Sequence, residues 1–109
     1  MNVRLYVWQR ATAAIMAPLV VLHIAVIFYA TRQGLSAADI LARTRGSMPW
    51  AAFYGLFVGA VAIHASIGLR NILREWTPLA ERRVDACVIF IGIVLAALGL
   101  RAVAAVVLP

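Results

Sequence analysis

The sequence has 109 residues, of which 65% are hydrophobic and only 13% are charged. A soluble domain carries about half apolar and about a quarter charged residues, so this composition excludes an ordinary soluble domain and indicates a chain that faces lipid. The net charge is +6, but the basic residues, all of them arginines, lie at the ends of hydrophobic segments. That placement indicates membrane topology and argues against a nucleic-acid-binding surface.

Three hydrophobic stretches predict transmembrane helices at about residues 6–31, 48–75 and 85–108. Each has the roughly 20 apolar residues that a helix needs to cross a bilayer, and backbone groups in lipid require the internal hydrogen bonds of a helix. The predicted fold class is therefore an all-α membrane protein, with a single transmembrane domain over residues 1–109. Six arginines on the N-terminal side of the membrane, against four on the other side, predict a cytoplasmic N-terminus.

The first hydrophobic stretch carries His23 deep in the predicted helix, where ionisable side chains are functional candidates by default. Thr12 lies on roughly the same helix face as His23, whereas Arg10 points about 140° away. The alternatives for His23 are a hydrogen bond to a neighbouring helix and an imidazole that faces the membrane interface. Because the stretch is long and contains Gln9, Arg10 and His23, we expect that it is not a cleaved signal peptide.

The two polar segments between the hydrophobic stretches differ in what they predict. In the first, Ser36 precedes AADILAR and Asp39 stands at the capping-box position, a pattern that predicts a short helix at the outer membrane interface. In the second, the charged residues at 81–85 predict a solvated turn before the third helix. Neither segment has the spacing of a metal or phosphate site.

The second hydrophobic stretch places His64 within the membrane and Glu75 at its cytoplasmic end, about 16 Å away along the helix axis. His64, Gly68, Asn71 and Glu75 share one helix face. A glycine one turn after the histidine leaves room for a flat, bulky group, as an imidazole that coordinates iron requires. The same residues also fit a histidine that is hydrogen-bonded to another helix, and the spacing alone leaves both interpretations open.

A second face of this helix is lined by small side chains. Its members recur at intervals of three or four residues and are Gly55, Gly59, Ala62 and Ser66. Small residues let helix backbones approach closely in a membrane, so this face predicts a helix–helix contact.

The polar residues offer little for catalysis. The sequence has no paired carboxylates at membrane depth, no Ser/His/Asp set, no glycine-rich phosphate loop and no His/Cys cluster with metal-ligand spacing. We therefore expect no catalytic residue in this chain. A small transporter is the alternative from another class, but it would usually have four spans and an intramembrane acid.

Three segments resemble the membrane-anchor subunits of succinate:quinone oxidoreductases (succinate dehydrogenase, or complex II). HASIGLRNILREW at 64–76 resembles the second-helix signature of that family, with a histidine, a glycine four residues later, and an acidic-aromatic pair eleven and twelve residues later. QRATAAIMAPL at 9–19 resembles the start of the first helix. The short loop with ERR before the third helix also fits, so the resemblance extends over nearly the whole chain.

The resemblance implies a haem b held in a six-helix bundle that two anchor subunits form together. His64 would be one axial ligand, and the partner anchor would supply the other. Some members of the family hold two haems and recruit a histidine of the first helix for the one nearer the outer surface. His23 is the matching candidate for a second-haem ligand.

The resemblance also implies a quinone site at the cytoplasmic side, against the iron–sulfur subunit. The matching positions are Arg10, as a ligand of quinone or of a haem propionate, with Thr12, Glu75 and Trp76 nearby. Position 76 is a tryptophan where the family often has a tyrosine, so only an N–H donor is available there. The pocket and the preferred quinone are therefore expected to differ.

The implied partners are a second membrane anchor, an iron–sulfur subunit and a flavoprotein subunit, and the implied location is the bacterial cytoplasmic (inner) membrane. In such a complex, electrons from the iron–sulfur centres would reduce quinone. The alternative within the same complex, or within a related fumarate reductase, is a haem-free anchor in which His64 only forms a hydrogen bond.

Overall fold

Three long helices and one short helix make up the described part of the chain. The computed structural model describes residues 2–109, and its elements are α1 (Val3–Gln33), α2 (Ala37–Thr44), α3 (Met48–Trp76) and α4 (Glu81–Val107). The three long helices are each long and apolar enough to cross a membrane. Within the described residues there is no strand. The predicted all-α fold with three membrane-spanning helices is thus confirmed.

The long helices extend beyond the hydrophobic stretches because polar residues continue them or cap them. The Asn2 side chain accepts a hydrogen bond from the Leu5 N–H at 2.8 Å and so begins α1, while Gly34 ends it in the left-handed conformation with φ of 63°. At α4 the turn predicted for residues 81–85 is wrong, because α4 already begins at Glu81, although Glu81, Arg82 and Arg83 are exposed. The helix dipole stabilises a negatively charged side chain in the first turn, which supports this early start.

The loop helix α2 forms as predicted, with a complete capping box. The Asp39 N–H donates to the Ser36 hydroxyl oxygen at 3.1 Å, and the Ser36 N–H donates to the Asp39 carboxylate at 2.9 Å. The hydrogen bond that the Asp39 carboxylate accepts from the Ser36 N–H lowers the pKa of Asp39 below its ordinary value, and the Ser36 side chain adds to this effect. Two hydrogen bonds anchor this segment to the end of α4. The Thr44 hydroxyl donates to the Val106 carbonyl oxygen at 2.6 Å, and the Gly46 N–H donates to the Val107 carbonyl oxygen at 2.7 Å.

Helix α3 is the centre of the bundle, since it packs against α1 on one side and α4 on the other. Its contact with α4 is close at two glycines. A Cβ added at Gly92 would overlap the Ser66 hydroxyl, and one added at Gly99 would lie 2.6 Å from a Val58 methyl carbon. The predicted small-residue face is only partly used within the chain, because a Cβ at Gly55 or Gly59 would meet nothing within 4 Å.

The bundle buries little of its apolar surface. The buried hydrophobic residues among those described are Leu19, Ala60, Ala62, Ile67, Val84, Val88 and Val107. Many large side chains on all three long helices are instead exposed, including Phe28, Ile63 and Phe90. Apolar groups on the outside are stable when lipid or another membrane helix surrounds them, so this distribution is that of a multi-pass membrane protein.

Candidate functional site

His64 lies at the contact between α1 and α3, facing the second and third turns of α1. Its Nδ1 atom is 3.2 Å from the Thr12 hydroxyl oxygen and 3.3 Å from the Gln9 carbonyl oxygen. Thr12 is buried, with only 3% of its surface exposed. The structure therefore brings together two of the residues that the sequence predicted, His64 and Thr12.

The partners of Nδ1 determine where the imidazole carries its proton. A carbonyl oxygen only accepts hydrogen bonds. The Thr12 hydroxyl proton is directed to the carbonyl oxygens of Trp8 at 2.8 Å and Gln9 at 3.1 Å, so its oxygen is also left as an acceptor for the imidazole. In a neutral imidazole, Nδ1 is therefore the nitrogen that carries the proton. Nε2 then carries a free electron pair and makes no hydrogen bond with residues 2–109.

This arrangement is the one that protein metal sites use to orient a histidine ligand. A metal-bound imidazole almost always donates its other N–H to a carbonyl, a carboxylate or water, which fixes both the tautomer and the ring direction. The described residues contain no cluster of three or more His, Cys, Asp or Glu side chains that could hold a metal ion. An imidazole held in this way can supply one metal ligand through Nε2.

Gln9 and Asn71 complete the polar contact on the same side of α3. The Asn71 amide donates to the Gln9 side-chain oxygen at 3.1 Å. Helical spacing places Asn71 on the face of His64, but the contact of Gln9 was not predicted from the sequence. The available signal was that Gln9 precedes Thr12 by three residues, which puts the two on one face of α1.

Gly68, one turn after His64, is not required by the packing within this chain. A Cβ added there would lie 3.6 Å from the Gln9 side-chain nitrogen, an ordinary van der Waals distance, and would meet nothing else within 4 Å. An alanine would also favour the helix by about 0.5–1 kcal/mol relative to glycine. Beside Gly68, this chain thus leaves room for a methyl group next to the Gln9 side chain.

The other residues predicted for a quinone site stand apart from the His64 contact. Arg10 is exposed on α1, with its guanidinium carbon 5.9 Å from the centre of the Tyr6 ring. Glu75 and Trp76 are exposed at the end of α3, where 81% of the Trp76 surface is accessible. All three side chains are exposed, so a complete quinone site would need walls from other subunits.

His23 occupies a different environment near the opposite end of the bundle. Its ring meets those of Tyr54 and Phe57 edge-on, with centroid distances of 5.8 and 5.5 Å. It lines a largely apolar cavity of about 340 Å³ between α1, α2, α3 and α4. Its Nδ1 atom is buried and has no hydrogen-bond partner among the described residues. The structure therefore does not bring His23 together with His64.

An ion-pair network that was not predicted from the sequence joins the end of α3 to the start of α4. Arg70 Nε lies 2.7 Å from the Asp85 carboxylate, and Nη2 lies 3.2 Å from that of Glu81. Arg74 also approaches Glu81, at 3.4 Å. The signal for this network was the spacing of opposite charges at the ends of two adjacent helices. It links the first turn of α4 to the last turns of α3.

Comparison with known proteins agrees with this architecture. The sequence model of the family described as Succinate dehydrogenase/Fumarate reductase transmembrane subunit matches residues 1–100. The chain belongs to this family. No curated protein and no solved structure matches the chain. The predicted resemblance is thereby confirmed, and the chain is a transmembrane subunit of the succinate dehydrogenase/fumarate reductase type, a class that works in an assembly with other subunits.

Proposed function

We propose that this succinate dehydrogenase/fumarate reductase transmembrane subunit co-binds haem b, with His64 Nε2 as one axial ligand and a histidine of a partner anchor as the other. The single observation that carries the proposal is the pair of hydrogen-bond acceptors, Thr12 and the Gln9 carbonyl, on His64 Nδ1. They leave the neutral imidazole with Nε2 as its electron-pair donor. Haem bound through two imidazoles supplies one-electron redox chemistry.

The residues around His64 support the proposal by what they do to the imidazole. The two acceptors on Nδ1 hold the ring in one orientation and make Nε2 a better electron donor. Gly68 keeps a side chain away from the helix surface one turn below, although no contact within the chain requires a glycine there. The packing within this chain does not explain why position 68 is a glycine. Room for a flat group beside the ligand would explain it.

We further propose that Arg10, Thr12, Glu75 and Trp76 form this chain's share of a quinone site. Arg10 and Trp76 are exposed and supply hydrogen-bond donors, a guanidinium and an indole N–H, that suit a quinone carbonyl or a haem propionate. Thr12 contributes by orienting His64, and Glu75 adds a carboxylate at the end of α3. The missing walls would come from the iron–sulfur subunit and the second anchor.

The proposed setting is the cytoplasmic membrane of a bacterium, with the N-terminus in the cytoplasm. The support is the distribution of arginines, since Arg4, Arg70 and Arg74 gather at the end of the bundle where α1 begins and α3 ends. The proposed complex contains a second anchor that completes a six-helix bundle, an iron–sulfur subunit and a flavoprotein subunit. In this complex the chain forms a docking and binding surface and has no catalytic residue.

The test is the ratio of haem to flavin in the intact complex purified through this subunit. A pyridine-haemochrome assay with a ratio near one supports the single haem on His64. A ratio near two would assign a second haem, for which His23 stays the predicted ligand. A ratio near zero would overturn haem binding and leave the second candidate, a haem-free anchor. That candidate is favoured by the fact that the hydrogen bonds of His64 already join α3 to α1.

A further inference from the structure

A cleft with both charged and apolar walls lies at the end of the bundle where α1 and α4 begin and α3 ends. Its volume is about 360 Å³, and we call it the basic cleft after the two arginines in its lining, Arg4 and Arg70. Its apolar lining includes Ile67, Val88 and Ile89. The cleft is distinct from the proposed haem ligand, because Arg70 is about 120° from His64 around the axis of α3.

The walls of the basic cleft become mostly apolar with depth, with Ser66 as a polar exception on α3. On α3, Arg70 is nearer the helix end and Ile67 lies deeper in the bundle. On α4, Asp85 is near the helix start, and Val88 and Ile89 follow one turn deeper. A ligand that fits such walls has a polar head at the membrane surface and an apolar body that extends towards the membrane interior.

The hydrogen bonds of Arg70 are incomplete. The side chain is only 13% exposed, with Nε paired to Asp85 and Nη2 paired to Glu81. Nη1 is buried and has no hydrogen-bond partner among residues 2–109. A buried donor without a partner is costly, and a guanidinium favours the oxygens of phosphate or carboxylate. Because Nη1 is covered, a ligand would reach it only after a rotation of neighbouring side chains.

Arg4 supplies the uncompensated charge of the cleft. It is exposed and forms no ion pair with residues 2–109, whereas the Asp85 carboxylate that also lines the cleft is engaged by Arg70. The two guanidinium groups against this one carboxylate leave an excess positive charge in the lining. Arginines at the membrane surface attract anionic lipids, each with a contribution of about 1 kcal/mol.

We propose that the basic cleft binds the headgroup phosphate of an anionic phospholipid. Arg4 and Arg70 face the phosphodiester, and the first part of an acyl chain lies on Ile67, Val88 and Ile89. The change from polar to apolar walls favours a lipid over free inorganic phosphate, which would leave the apolar half of the cleft without a ligand. The site goes beyond the proposed function and does not depend on haem or quinone.

The experiment compares phospholipid retention by three forms of the intact complex. Each is reconstituted in nanodiscs of equal parts phosphatidylglycerol and phosphatidylcholine, extracted in mild detergent, and analysed by native mass spectrometry. The variants are Arg4→Gln and the matched control Arg82→Gln, which removes the same charge from an exposed residue outside the cleft. We expect Arg4→Gln to lower the retained ratio of phosphatidylglycerol to phosphatidylcholine roughly fivefold, and Arg82→Gln to leave it nearly unchanged.

A third variant tests the role of the buried guanidinium while it keeps a cation beside the carboxylates. Arg70→Lys keeps a positive charge for Asp85 but removes the planar group with its additional donors. We expect a lower phosphatidylglycerol ratio in an assembled complex with an unchanged subunit composition. Equal losses of retained phosphatidylglycerol in Arg4→Gln and Arg82→Gln would overturn the proposal, because general surface charge would then account for the lipid preference. An unchanged ratio in both Arg4→Gln and Arg70→Lys would also overturn it, as expected if another subunit covers the cleft.

Inorganic phosphate separates the two sources of the anion. Added during extraction, it should not displace phosphatidylglycerol, because the lipid also gains the apolar wall of the cleft. Displacement by millimolar phosphate at constant ionic strength would contradict the lipid assignment and indicate a site for the free anion.

Discussion

The two histidines of this chain lie at membrane depth on different helices, yet their surroundings differ in the feature that matters for metal binding. His64 has two acceptors on Nδ1, which in the neutral imidazole leave Nε2 with a free electron pair. His23 has a buried Nδ1 without a partner among the described residues, and its ring is in contact with two aromatic side chains. Depth alone therefore does not identify a ligand. The hydrogen bond on the second nitrogen is the distinguishing feature.

The largest expected effect separates the two histidines directly. His64→Ala removes the proposed axial ligand, so we expect the purified complex to lose nearly all of its haem b absorbance. His23→Ala leaves the ligand and its two acceptors in place, so we expect most of the haem to remain. The measurement is the reduced-minus-oxidised spectrum of each complex, normalised to flavin. Equal retention in both variants would remove the distinction between the two sites.

The space beside the ligand gives the next largest effect. Gly68→Ala adds a methyl group that this chain accommodates, since it lies at ordinary van der Waals distance from Gln9. If haem fills the space, overpacking costs about 1–3 kcal/mol, which weakens haem binding roughly 5- to 150-fold. Haem retention during dilution is the measurement. The control is Gly59→Ala, on the opposite face of α3, for which we expect parental retention. Tight haem binding in Gly68→Ala would show that the space is not used.

A smaller effect is expected when one of the two acceptors on Nδ1 is removed. Thr12→Val deletes the hydroxyl with little change in volume, and the Gln9 carbonyl remains as the other acceptor. Loss of such a supporting hydrogen bond costs about 10- to 100-fold in metal affinity, and we expect the lower end of this range. The rate of haem loss to apomyoglobin measures it. Thr12→Ser keeps the hydroxyl and should behave like the parent, whereas a fast rate in Thr12→Ser as well would assign the effect to packing.

The smallest effect is expected at Gln9. Gln9→Met removes the side-chain oxygen that accepts from Asn71 but keeps the backbone carbonyl that accepts from His64. We expect a stability loss of about 1 kcal/mol and unchanged haem content. Thermal unfolding of the complex and its haem-to-flavin ratio check the two parts. A large loss of haem would mean that the side chain, rather than the backbone carbonyl, positions the ligand.

The fold was largely predictable, because the three spans follow from apolar length and the loop helix follows from its capping box. The start of α4 was not, since Glu81 and Asp85 resemble loop residues until Arg70 of another helix is placed beside them. The site was predictable only in part. Helical spacing put Gly68 and Asn71 on the face of His64, but spacing within α3 cannot show which turn of α1 it meets. The roles of Thr12 toward His64 and of Gln9 therefore required the packed structure.

The most direct test of the central claim, that His64 Nε2 ligates haem iron, is chemical rescue of His64→Gly by imidazole. The substitution leaves a space the size of the missing side chain while the rest of the site stays in place. We expect the variant complex to lack the low-spin haem spectrum and to regain it when haem and millimolar imidazole are added together, but not with haem alone. A low-spin spectrum in the variant without imidazole would contradict the claim and assign the ligand to another residue.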